Sequence, residues 1–241
     1  MGAATTARAS VLVAARRCDS CDAVRRVSEM VSKVANMWLL DSSCTVCHAP
    51  ANGICASCVR SLGDPVVPML LGFANATVLF SYEGVGADLV RAIKYRNRRQ
   101  GLSALMTALA TSLTREVDAI VAVPAQPSRR RERGYHVPDL MADRLSKRLK
   151  VPVVDPLVRV DDGSQLGRDR QQRQAVQFTT SGVVPERVLL VDDVVTTGAT
   201  AVACGITLGL AGARHVELVA LAATPPAPRT ESTAQRDEAL A

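Results

Sequence analysis

The rhythm of hydrophobic and polar positions changes along this chain. Residues 1–36 hold no clean period, are rich in Ala, Ser and Arg, and predict a disordered extension. Residues 37–62 form a cysteine-rich segment. From about residue 78, short apolar runs alternate with stretches of helical period. Residues 78–80 predict a strand. Residues 88–95 predict a helix with Leu89, Val90 and Ile93 on one side, and 102–113 a second helix with Leu102, Leu105, Met106, Leu109 and Leu113 at helical spacing. The run 119–123 is a buried strand stopped by Pro124. A helix over 139–149 follows, then strand-like stretches at Val153-Val154 and Leu157-Val158, interrupted by Pro156. Residues 159–175 are polar and read as a long loop, a length usually tied to function or disorder. The apolar run at Val188 predicts a strand. A helix over 200–208 ends near Gly209 and Gly212, and a last strand spans 216–221. Strands alternating with helices imply an α/β fold with a mostly parallel sheet flanked by helices. The chain divides into an extension (1–36), a cysteine module (37–62), an α/β domain (63–224) and a polar tail from Pro225 (225–241), with no internal repeat.

Composition narrows this picture. Of 241 residues, 48% are apolar but only 3% aromatic, so the core must be mostly Val, Leu, Ala and Ile. No apolar run approaches the roughly 18 residues of a membrane span. The early run Val11-Leu12-Val13-Ala14-Ala15 is too short for a signal peptide core and is closed by Arg16-Arg17. A soluble, cytoplasmic protein without membrane insertion is the expectation. The first seventeen residues carry Arg and no acid, a weak likeness to an organelle transit peptide, and Met30 and Met37 are alternative starts. The net charge of +6 and pI of about 9.2 are compatible with phosphate-bearing ligands or nucleic acid. Two basic groups stand out: Arg91, Lys94, Arg96, Arg98 and Arg99, with no acid among them, and Arg129, Arg130, Arg131 and Arg133 around Glu132.

Cys44-Thr-Val-Cys47 and Cys55-Ala-Ser-Cys58 are two C-x-x-C turns, seven residues apart, with Pro50 and Gly53 between them. Each turn presents two thiolates to one metal, and four sulfur ligands make a closed, structural Zn²⁺ site without an open position. Disulfides and a redox C-x-x-C are the rival readings, the first disfavoured in a reducing compartment. His48 reads as a bystander. Cys18 and Cys21 form a third C-x-x-C without a partner pair, and Cys204 reads as a buried core thiol.

The most informative stretch is Val188-Leu189-Leu190-Val191-Asp192-Asp193, followed by Val194-Val195-Thr196-Thr197-Gly198-Ala199-Thr200. Four apolar residues make the strand and two carboxylates stand at its end. Hydroxyls and a glycine then lead into a helix whose start is a natural phosphate cradle. Carboxylates beside such a cradle suit sugar hydroxyls, a metal ion, or both, so the segment reads as a site for a phosphorylated sugar.

This stretch resembles the phosphoribosyl pyrophosphate signature of type I phosphoribosyltransferases. Together with the four-cysteine module, Tyr82-Glu83-Gly84, Lys94-Tyr95, the apolar strand ending in Val123-Pro124, and Arg131-Glu132-Arg133-Gly134-Tyr135, the chain resembles the ComF-like family over roughly residues 37–222. The resemblance implies a type I phosphoribosyltransferase-like domain that uses phosphoribosyl pyrophosphate with Mg²⁺. Asp192 and Asp193 would hold the ribose hydroxyls, and Thr196, Thr197, Gly198, Ala199 and Thr200 the 5′-phosphate. Arg131 and Arg133 would meet the pyrophosphate, since guanidinium forks match phosphate oxygens. The stretch 159–175 would be a loop that closes over the ligand. His136 stands where the family often has Asn, and the Asn expected near the loop's end is replaced around Arg173 or Val176. No general base is evident.

Three functions compete. The first is a phosphoribosyltransferase with an unknown nitrogen acceptor. The second is a non-catalytic accessory protein of DNA uptake or competence that binds single-stranded DNA or a phosphoribosyl ligand and contacts DNA-uptake proteins. Lys94–Arg99 would then supply the charge, with no aromatic stacking platform beyond Tyr95. The third is a zinc scaffold that binds no ligand.

Overall fold

The computed structural model describes residues 43–65, 70–113, 116–126, 134–160 and 177–226. The expected extension over 1–36 with Cys18 and Cys21, Arg129, Arg130, Arg131 and Arg133, most of the expected closing loop, and residues 227–241 of the tail lie outside the described residues.

The centre is a four-stranded parallel sheet in the order β1-β6-β5-β2, built from β1 (Asn75–Ser81), β2 (Ala119–Ala122), β5 (Arg187–Val195) and β6 (His215–Ala223). The inner strands β5 and β6 read as nearly unbroken apolar runs because both faces of the sheet are covered. On β5, Leu189 and Val191 join one buried cluster, and Val188 and Leu190 the other. The first face is covered by α2 (Gly84–Tyr95), α3 (Leu102–Ser112) and α4 (Val137–Leu149). The second is covered by α5 (Ala199–Leu210), through Ala201, Cys204 and Leu208. An antiparallel pair, β3 (Leu157–Val160) and β4 (Gln177–Thr180), packs beside α5 through Leu157 and Phe178. No helix among the described residues is long and apolar enough to cross a membrane.

Several elements run further than the sequence pattern suggests. β5 does not stop before the carboxylates; β6 pairs with it as far as Val195↔Ala223, so Asp192 and Asp193 lie inside the strand. α2 begins at Gly84 rather than residue 88. Its first turn is pressed so closely onto β1 that a Cβ on Gly86 would lie 2.2 Å from the Ser81 carbonyl oxygen, so the glycines that weaken the helical pattern are what let the helix dock. α4 begins at Val137, where Pro138 suits the first turn. α5 starts at Ala199 and runs to Leu210. The expected loop at 159–175 is corrected at its start: Arg159 and Val160 belong to β3, paired with Phe178 and Gln177 of β4. A half-exposed strand whose partner lies beyond a long insertion leaves little periodic signal.

The cysteine segment is part of the same core. Its short helix α1 (Ala56–Arg60) contributes Cys58 and Val59, and Ile54 and Leu62 join the cluster that includes Leu102 and Leu105 of α3. The docking point is the α2–α3 connection. Gly53 has φ +90°, and a Cβ there would sit 2.9 Å from the Gly101 Cα. Arg98 clamps the junction from the other side: its guanidinium donates to Ser43 Oγ (2.7 Å), to the Cys44 carbonyl oxygen (3.0 Å) and to His48 Nδ1 (2.6 Å).

Gly53→Ala therefore meets two penalties, a left-handed backbone and a backbone clash, and is expected to destabilise the fold by roughly 1–3 kcal/mol. Thermal melting against wild type checks this, and an unchanged midpoint would contradict the docking geometry.

Candidate functional site

Adjacent strands β2 and β5 send their following helices to opposite faces of the sheet, α4 to one and α5 to the other. Such a divergence opens a crevice at the carboxyl ends of the strands. Here β2 pairs with β5 only as far as Ala122↔Val191, Val123 donates its N–H to the Val191 carbonyl (2.9 Å), and Pro124 takes the chain away. The next residues of β5 are Asp192 and Asp193. They lie at a cavity of about 420 Å³, walled also by Lys94, Val123 to Gln126, Tyr135, His136, Arg159, Thr196 and Thr200.

The two carboxylates are held differently. Asp192 Oδ1 accepts the Asp193 main-chain N–H at 2.8 Å. Asp193 Oδ1 accepts from the Lys94 ammonium at 2.7 Å, a pair from the end of α2 and the end of β5, 99 residues apart in sequence. Burial first, and the charge of Asp193 second, push the Asp192 carboxyl up to about 7; the Lys94 ammonium and the N–H groups of Asp193 and Val194 act against that rise. The field of Asp192 reaches Cys204 of α5, a buried thiol pushed up chiefly by its own desolvation.

The turn after β5 is shaped by Gly198. Its φ is +77°, and a Cβ there would lie 2.2 Å from Leu70 Cδ2, so both conformation and space require glycine. Gly198 caps α5, and its carbonyl accepts the Val202 N–H (2.8 Å). Thr196 and Thr200 line the cavity, whereas the Thr197 hydroxyl accepts the Ala199 N–H at 3.3 Å. The first N–H groups of α5 lack helical partners, as at any helix start, and carry its positive end.

The structure gives partners to residues that the sequence names without them, and adds Arg159 to the cavity wall. Lys94 belongs to the acid pair rather than to a surface basic stripe. The rest of that group is largely engaged within the molecule: Arg91 pairs with Asp88, Arg98 clamps the cysteine segment, and Arg99 lies 4.8 Å over the Tyr135 ring. Arg159 reaches the cavity from β3 and lies 5.9 Å from the Phe178 ring centre. All three tyrosines of the chain, Tyr82, Tyr95 and Tyr135, line this one cavity. Tyr135 donates its hydroxyl proton to the Ile93 carbonyl oxygen. His136 also lines the cavity, with Nδ1 at 3.0 Å from Asp139 Oδ1. The signal that could have grouped the tyrosines was their rarity in an aromatic-poor chain. Arg131 and Arg133 lie outside the described residues.

A second cluster lies in the cysteine segment. The sulfurs of Cys44, Cys47, Cys55 and Cys58 all lie within 4.8 Å of one another, and Cys47 Sγ is 3.6 Å from Cys55 Sγ. A tetrahedron with metal–sulfur bonds of about 2.3 Å has sulfur–sulfur edges of about 3.8 Å, so the donor set fits a structural metal site. The Cys44 sulfur accepts the Cys55 N–H (3.3 Å) and the Cys55 sulfur the Cys58 N–H (3.4 Å). Burial raises the Cys44 thiol, but main-chain N–H groups of Cys55, Cys47 and Val46 outweigh it and bring it to about 6; burial and the surrounding sulfurs push Cys58 upward. His48 faces Arg98 and is not part of the cluster.

Because Asp192 is raised in the folded protein, the native state keeps a proton that the unfolded chain has released between about pH 4 and 7. Wild-type stability should therefore fall across that window relative to Asp192→Asn. The melting-temperature advantage of Asp192→Asn, without ligand or Mg²⁺, is expected to grow from pH 4 to about 7 and then level off, at about 1.4 kcal/mol per pKa unit. A pH-independent difference would refute the assignment.

No protein-family model and no curated protein matches the chain. Among solved structures, a purine phosphoribosyltransferase from Pyrococcus horikoshii Ot3 aligns at 26% identity and TM-score 0.34, over 53% of this chain and 78% of that one. An adenine phosphoribosyltransferase from Leishmania tarentolae aligns at 16% identity and TM-score 0.38, over 56% and 74%. A glutamine phosphoribosylpyrophosphate amidotransferase from B. subtilis aligns at 20% identity and TM-score 0.39, over 54% of this chain but only 30% of its own. Likenesses this loose carry no weight for activity. The chain's own geometry establishes an α/β fold with a parallel sheet flanked by helices, and with a four-cysteine cluster docked on it.

Proposed function

We propose that the cavity at the end of β5 is a phosphoribosyl pyrophosphate site and that the protein is a ComF-like phosphoribosyltransferase. The observation that carries this reading is the meeting, in one crevice, of two adjacent carboxylates with a Gly198-dependent hydroxyl turn that starts a helix. Asp192 and Asp193 accept hydrogen bonds from the ribose hydroxyls. Thr196, Thr197, Gly198, Ala199 and Thr200 receive the 5′-phosphate through main-chain N–H groups and hydroxyls, favoured by the helix dipole. Arg131 and Arg133, next in sequence to the cavity wall, pair with the pyrophosphate. Mg²⁺ accompanies the pyrophosphate and neutralises part of its charge. The reaction joins ribose 5-phosphate to a nitrogen nucleophile and releases pyrophosphate. The tyrosines supply flat apolar surface for a planar acceptor. Cys44, Cys47, Cys55 and Cys58 bind a structural Zn²⁺ that braces the module against α3; a reducing, cytoplasmic setting suits such a thiolate cluster. The single-stranded DNA reading draws no support from Lys94–Arg99, because Lys94, Arg98 and Arg99 are engaged inside the molecule.

Calorimetric titration with phosphoribosyl pyrophosphate and Mg²⁺ tests the site. Wild type is expected to bind, and Asp192→Asn/Asp193→Asn to lose about tenfold or more in affinity, the scale of hydrogen bonds to charged groups. Equal binding by both proteins refutes the assignment. For the cysteine cluster, protein purified without chelator is expected to carry about one zinc per chain. Changing all four cysteines to Ser should abolish that zinc and lower the melting temperature; protein without zinc, and a quadruple variant that melts like wild type, would rule the metal out.

A further inference from the structure

Resting on the phosphoribosyl reading, the site poses an electrostatic problem: two neighbouring carboxylates in a cavity wall disfavour each other's charge, yet both must be fixed to accept hydrogen bonds from hydroxyls. The solution lies on a different element. Lys94 is in the last turn of α2, and its ammonium lies 2.7 Å from Asp193 Oδ1, with the two side chains only 14% and 13% exposed. The helix is itself anchored on both sides of Lys94. Ile93 is fully buried and its carbonyl accepts from the Tyr135 hydroxyl, while Arg98, four residues on, is clamped to the cysteine segment. Lys94 is thus aimed at the acid by its backbone. A cation meant to grip phosphate directly gains nothing from a buried ion pair with a neighbouring acid, because binding would have to break that pair. A cation meant to hold a carboxylate for a sugar gains from it.

We infer that Lys94 is a positioning residue that acts through Asp193 to make the site select a ribosyl phosphate with its vicinal hydroxyls over a deoxyribosyl phosphate. Lys94 fixes the Oδ1 side of the Asp193 carboxylate, while the Asp193 main-chain N–H fixes Asp192. The two acids then face the sugar as a rigid pair of acceptors. The same ammonium opposes the protonation of Asp192 that burial favours. Arg159 of β3 and His136 at the start of α4 line the same cavity, and Lys94 is paired directly with Asp193. Removing a hydroxyl from the sugar leaves a fixed acceptor facing nothing, which is how such sites discriminate.

The experiment compares affinities for ribose 5-phosphate, its 2-deoxy and 3-deoxy analogues, and inorganic pyrophosphate with Mg²⁺. It uses the full chain as wild type, Lys94→Met, Lys94→Arg, Asp193→Asn and Lys94→Met/Asp193→Asn. Wild type is expected to prefer ribose 5-phosphate over at least one deoxy analogue by about tenfold, the scale of a hydrogen bond to a charged acceptor. Lys94→Met should lose about tenfold for ribose 5-phosphate and change less than about twofold for that deoxy analogue and pyrophosphate, so the preference collapses. Lys94→Arg should restore most of it. The double variant, which leaves no unpaired buried charge and so guards against misfolding, should bind ribose 5-phosphate no more weakly than Asp193→Asn alone. Equal losses for all four ligands in Lys94→Met, or additive losses in the double variant, would make Lys94 a direct phosphate contact and overturn the inference. Retention of the ribose preference in Lys94→Met would overturn it as well, while leaving the phosphoribosyl site intact. A wild-type protein that binds neither ribose 5-phosphate nor phosphoribosyl pyrophosphate removes both readings together.

Discussion

The parallel ladder between β5 and β6 is the constraint from which the site follows. It runs from Arg187↔His215 to Val195↔Ala223, whereas β2 leaves β5 after Val191. For the next residues β5 is supported on one edge and open on the other. Asp192 and Asp193 fall in that interval. They have the rigidity of a central strand and face a crevice that no strand among the described residues fills. Were β2 longer, the carboxylates would be sealed beside it; were β6 shorter, they would sit on a flexible turn. The helices decide the rest, because α4 and α5 leave toward opposite faces and draw the chain away from the gap.

Around this gap the charges depend on elements distant in sequence. Lys94 holds Asp193 from α2, Arg159 arrives from β3, and the helix start at Ala199 contributes its dipole. The four-cysteine segment reaches the same machinery indirectly. It packs on the α2–α3 connection through Gly53, Ile54 and Gly101, and Arg98 ties it to the residues just after Lys94. A structural metal there would stiffen the end of the helix that presents Lys94, which gives a physical reason for a small module that shares the α/β core.

Much of the fold was legible in the chain because burial on both faces leaves an unmistakable trace. The run Val188–Val191 is apolar throughout, residues 216–221 are interrupted only by Glu217, and the helix over 102–112 shows its Leu spacing openly. The acid pair, the Gly198 turn and the cysteine spacing were legible for a related reason: each is a local chemical unit within fifteen or fewer residues. What escaped was non-local. β4 is short and half-exposed, and its partner lies across an insertion, so no periodicity marks it. Arg159 looked like the first residue of a loop for the same reason. Lys94 looked like one charge in a basic group, since nothing near it in sequence names its partner.

The sequence by itself determined most of the elements, the acid pair with its glycine turn and the four sulfur donors, because these depend on residue type and near spacing. Only the tertiary structure decided which charges work together. It divided the basic group around Lys94 and Arg98, giving one to the acid pair and the other to the cysteine segment. It also gathered the chain's three tyrosines at one cavity. Coulomb and hydrogen-bond energies depend on distances of a few ångströms, and a parallel sheet with crossover helices sets those distances between residues that the chain itself keeps far apart.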